Sequence, residues 1–86
     1  MKIKLEFVLR EIAGETLLVP VGKTALDLNG MLTLNALGGE IWQMLPEVKD
    51  EQEITERILA EYDADPEQVS ADVHEFIEKL RALGIL

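Results

Sequence analysis

Residues 5–12 (LEFVLREI) alternate, with Leu5, Phe7 and Leu9 on one face and Glu6 and Arg10 on the other. A two-residue period marks a strand with one face covered. Ala13-Gly14 signals a turn, and residues 15–21 (ETLLVPV) read as the returning strand. Pro20 has no N–H to give to a ladder, so it should mark that strand's end or a sheet edge. Gly22-Lys23 turns the chain again. Residues 24–28 (TALDL) alternate once more, Asn29-Gly30 is a hairpin signal, and residues 31–34 (MLTL) form a short apolar strand. These segments predict a small antiparallel sheet, unstable unless helices cover one of its faces.

Beyond residue 34 the period changes to that of helices. Asn35 is placed to cap a helix over 36–45, with Leu37, Ile41, Trp42 and Leu45 as its apolar stripe. Gly38 and Gly39 weaken that helix but allow close backbone packing, and Pro46 ends it. Asp50 followed by Glu53 is a capping-box pattern for a second helix, 51–62, whose stripe is Ile54, Ile58, Leu59 and Tyr62. Asp65-Pro66-Glu67-Gln68 opens a third: Asp65 caps, Pro66 takes the first helical position, and Gln68 stands three after the cap. This helix runs over about 66–83 and buries Val69, Val73, Phe76, Ile77, Leu80 and Leu83. Gly84 suits its C-terminal cap. The expected fold is α+β, resembling a winged helix-turn-helix: a three-stranded antiparallel sheet followed by three helices, in one domain over residues 1–86.

Composition narrows the function classes. A chain of 86 residues has a thin core and little room for an enclosed substrate cavity. It contains no cysteine, which removes disulfides, thiolate metal sites and thiol catalysis. No apolar run approaches the length of a membrane span, and the first residues do not read as a signal peptide, so a cytoplasmic location is expected. The formal net charge is -9. Residues 1–34 are balanced, so the whole excess lies in the helical part. Such a surface repels phosphate backbones and anionic membranes.

The candidate chemistry is sparse. Gly22-Lys23-Thr24 has the ending of a phosphate-binding loop, but Leu17 stands where that motif needs another glycine, so a strand-linking turn is the reading. His74, the single histidine, lies off the apolar stripe among acids and reads as a solvated surface group. The acids at 50–56 and 63–67 sit at helix starts, where they stabilise the dipole. No metal site and no cofactor are expected. The strand Met31–Leu34 is different. In a simple meander it lies at an edge, open to an added peptide strand or covered by a helix or a second copy.

The run Leu28-Asn29-Gly30-Met31-Leu32-Thr33-Leu34-Asn35, then Gly38 and Ile41-Trp42, resembles the PqqD-like family. So does Glu61-Tyr62-Asp63-Ala64-Asp65-Pro66 with Asp72-Val73, Phe76-Ile77, Leu80 and Gly84-Ile85-Leu86. The resemblance covers about Phe7 to Leu86. Gly39 departs from it, at a position where the family more often has a helix-favouring residue. The resemblance implies a non-catalytic domain that binds the leader segment of a ribosomally synthesised precursor peptide. The leader adds beside the third strand, in the cleft against the third helix. A modifying enzyme, often a radical S-adenosylmethionine protein, then acts on the peptide. Carried over by position, the strand contribution falls on Met31, Leu32, Thr33 and Leu34, and the helix contribution on Asp72, Phe76, Lys79 and Leu83. Lys79 would then meet an acidic leader residue and Asp72 a basic one.

Two other functions compete. A structural subunit could use the same edge to form a homodimer. A DNA-binding winged helix would need a basic recognition helix, whereas the third helix carries Glu67, Asp72, Glu75 and Glu78 against Lys79 and Arg81.

Overall fold

The computed structural model describes residues 1–27 and 30–86. Strand β1 (Phe7–Ile12) and strand β2 (Glu15–Pro20) form an antiparallel hairpin, with Leu9 opposite Leu18 and Arg10 opposite Leu17. Its turn residues, Ala13 and Gly14, both have positive φ, as a tight two-residue hairpin turn requires. Helix α1 (Gly22–Asp27) follows, then strand β3 (Leu32–Leu34), which pairs antiparallel with β2. The sheet order is β1-β2-β3, so β3 is an edge.

Residues 24–28 were expected to form a strand, but Thr24 to Asp27 lie in α1. Gly22, at φ +57°, turns the chain out of β2, and the Ala25 N–H bonds back to the Val21 carbonyl. The Thr24 hydroxyl accepts from the Glu6 N–H at 2.7 Å, which spends its polar group on the N-terminal segment. Gly22-Lys23-Thr24 is therefore the start of a short helix rather than a turn between strands. The Glu6 carboxylate fills the space beside Gly22, where an anion would have to approach. Leu28, the last residue of the strand expected over 24–28, and Asn29 of the Asn29-Gly30 hairpin signal lie outside the described residues. Met31 precedes β3 instead of belonging to it.

The three long helices follow their caps. Helix α2 (Ala36–Met44) is opened by Asn35, whose side-chain oxygen accepts from the Gly38 N–H at 2.7 Å. It tightens at Leu45–Glu47 into a 3-10 turn that contains Pro46. Helix α3 (Glu51–Glu61) is capped by Asp50, which accepts from the Glu53 N–H at 2.9 Å. Glu53 reaches back to the Lys49 N–H, one residue earlier than a capping box would place it. Helix α4 (Pro66–Ala82) is capped by Asp65 through the Glu67 N–H. Gln68, expected to reach back to that cap, instead donates forward to Asp72 at 2.9 Å. At the far end, the Ile85 N–H bonds to the Leu80 carbonyl and the Gly84 N–H to the Arg81 carbonyl. This pair of bonds, with Gly84 at φ +78°, is a Schellman closure.

One core joins sheet and helices. Leu18 and Leu34 supply the sheet side; Ile41, Trp42 and Leu45 come from α2 and the turn after it, Ile54 and Ile58 from α3. Val69, Val73, Ile77 and Leu80 of α4, Ile85 beyond it, and Val48 between the 3-10 turn and α3 complete it. Phe7 meets Trp42 edge-on, with ring centroids 6.0 Å apart. Gly39 allows α2 to press on the sheet, since a Cβ there would lie 3.2 Å from Thr16 Cγ2. The family departure at Gly39 therefore sits at a helix–sheet contact. The expected three helices are present, with α1 as an addition between β2 and β3.

Candidate peptide-binding cleft

Sheet topology and helix phase together open a cleft of about 300 Å³ beside β3. Thr33, Leu34 and Asn35 form one side. Leu37, Gly38 and Ile41 of α2 lie between, and Asp72, Glu75, Phe76 and Lys79 of α4 form the other side. On a helix these last four positions recur at three- and four-residue steps, so they form one stripe. That stripe flanks the buried one, which runs through Val69, Val73, Ile77 and Leu80. Asp72 and Phe76 are half-buried at the boundary; Glu75 and Lys79 are exposed.

Gly38 sets how close α2 and α4 come at the floor. A Cβ at that position would lie 3.2 Å from Phe76 Cε1 and 3.1 Å from Asn35 Oδ1. Helix cap, glycine and aromatic ring therefore form one local arrangement. Among the described residues, the β3 backbone faces no further strand on its outer side. A wall with spare main-chain donors and acceptors thus stands beside an apolar floor and a charged rim. Such a wall holds an extended backbone, while pockets of this kind select side chains.

Of the residues expected from the sequence, Thr33, Leu34, Asp72, Phe76 and Lys79 come together around the cleft. Leu34 takes part with its backbone side, since its side chain is buried in the core. Leu32 packs partly buried against the same core. Met31, 56% exposed, and Leu83, 45% exposed at the end of α4, lie outside the cleft. Asn35, Leu37, Gly38, Ile41 and Glu75 were not foreseen as lining. The spacing of Leu37 and Ile41 was visible, but it read only as core.

Elsewhere the titratable groups form surface ties. His74 Nδ1 lies 2.9 Å from Glu51 Oε1, which links exposed points of α3 and α4. The Tyr62 hydroxyl donates to Glu40. That hydrogen bond, then the negative charge of Glu40, holds the phenol above its ordinary pKa. Among the described residues no group of three or more His, Cys, Asp or Glu side chains is gathered as for a metal ion. No helix among them is long and apolar enough to cross a membrane.

The family model for coenzyme PQQ synthesis protein D (PqqD) matches residues 8–86. A solved structure described as TbiB1 in complex with the TbiA(beta) leader peptide is similar over 100% of this chain and 94% of that one. Its TM-score is 0.72 and its sequence identity 31%. No curated protein matches.

Proposed function

The chain belongs to the PqqD family, and from that premise we propose that it binds the leader segment of a ribosomally made precursor peptide. It presents that peptide to a modifying enzyme and does no chemistry of its own. The observation that carries this reading is the cleft in which the free edge of β3 runs beside the Asp72–Lys79 stripe of α4. The leader peptide held by TbiB1 supports it. The peptide adds as a strand to β3, taking main-chain bonds from the Met31–Leu34 stretch. Phe76 contacts an apolar side chain, and Asp72 and Lys79 contact polar ones. Leu83 meets the peptide only where it runs past the cleft. The domain acts as one unit over residues 1–86, in the cytoplasm. A radical S-adenosylmethionine enzyme is the partner class that the family favours.

Calorimetric titration with synthetic leader peptides, taken from short open reading frames beside the gene, tests the reading. Saturable one-to-one heat is expected. Proline placed at alternate positions of the docking stretch should weaken it, because proline removes a ladder donor. Absence of heat with every such peptide, from a protein that is folded and dimeric on size-exclusion chromatography, would turn the β3 edge into a self-association surface.

A further inference from the structure

Four ion pairs form among the described residues: Arg57 meets Glu47 and Glu53, His74 meets Glu51, and Arg81 meets Glu78. The charges on the cleft rim stand outside them. Glu75 stands one turn before Lys79, the arrangement in which such residues commonly pair on a helix. Yet among the described residues neither of them forms an ion pair, and neither does Asp72. Asp72 is held only through Oδ1, by the Gln68 amide, so Oδ2 remains free to accept. Asp72 thus stands toward one end of the α4 stripe and Lys79 toward the other, with Phe76 between them and Glu75 nearly level with Phe76 along the axis.

The spacing suits a strand. Along a helix, Asp72 to Phe76 spans about 6 Å and Phe76 to Lys79 about 4.5 Å. Same-face residues of an extended peptide recur at about 6.7 Å, and the length of the lysine side chain absorbs the difference. We infer that the cleft selects a peptide strand by the order of its charges. An apolar residue sits on Phe76; a lysine or arginine two positions to one side faces Asp72; an acidic residue two positions to the other side faces Lys79. The inference rests on the peptide binding proposed above and adds its specificity. The main-chain pairing at β3 sets which way the strand runs, so each peptide meets the cleft charges in one order only.

Three fluorescein-labelled synthetic peptides test it by anisotropy, with cores Lys-Thr-Leu-Thr-Glu, Glu-Thr-Leu-Thr-Lys and Gln-Thr-Leu-Thr-Gln. The leader peptides used in calorimetry run beside them as the reference. One charged order should bind about tenfold more tightly than the other, as expected for two partly exposed ion pairs, with the neutral peptide between. Raising the salt should close the gap. The triple variant D72K/E75K/K79E, checked for retained helicity by circular dichroism, should prefer the opposite order. Lys79→Glu alone, a milder change, should narrow the gap without reversing it. Equal binding of all three peptides, or none by any of them while the leader still binds, overturns the charge reading and leaves leader binding standing. If the leader also fails to bind, both readings fall together.

Discussion

Two sides of one helix divide the work of this molecule. One side of α4 carries Val73, Ile77 and Leu80, packed against α3, the sheet and the terminal Ile85. The other carries Asp72, Glu75, Phe76 and Lys79, which border the cleft. Phe76 and Ile77 are neighbours in sequence and differ by about 100° around the axis. That rotation separates a residue that holds the fold from one that lines the cleft. A thin core leaves few side chains to spare, so the cleft side is made from the margin of the core and its depth comes from a glycine.

If this division is real, substitutions on the two sides should fail in different ways. The largest effect is expected from Ile77→Ala, which leaves a cavity in a fully buried site and costs about 2–5 kcal/mol. Urea denaturation should show it, and peptide binding would fall only because less protein is folded. Phe76→Ala should cost about 1–2 kcal/mol, since its ring is only half-buried. Its loss of peptide affinity should persist under conditions where the variant is fully folded. A Phe76→Ala protein that binds normally once folded would collapse the distinction between the sides. Lys79→Gln should change stability by about 0.5 kcal/mol or less and yet alter the salt dependence of binding. The smallest effect lies off both sides, at Tyr62. Its raised pKa means that the Glu40 contact contributes stability below the ordinary phenol range and loses it as pH rises through the folded-state value. Tyr62→Phe should lower the neutral region slightly and flatten the alkaline limb of a pH–stability curve, where it converges with the parent protein.

The helical part of the molecule was legible because its signals are local. Asn35, Asp50 and Asp65 each cap the helix that their spacing announced. Gly84 closes α4 where a left-handed residue was expected. The stretch after Pro20 was not legible. Five alternating residues, two of them Ala and Asp, hold too little strand preference to outweigh a hydroxyl bonded to a distant segment. Nothing near Thr24 in sequence announces Glu6. The cleft was half legible for the same reason. Periodicity placed Asp72, Phe76 and Lys79 on one stripe of α4 without saying what faced them. The α2 contribution of Leu37, Gly38 and Ile41 depends on the angle between two helices, which no local pattern encodes. Glu75 counted in the sequence toward the charge balance of the third helix, and nothing local marks it as lining.

The length of β3 sets a clock. The strand has three residues, so a peptide laid along it gains only a few main-chain bonds, and those break in few steps. A guest held this way leaves quickly unless its side chains grip the floor and rim, since differences among related complexes lie mostly in the rate of departure. Under the proposed strand addition, a longer edge would keep its peptide and this one would release it, with the dwell time set in the side chains of the cleft more than in the sheet.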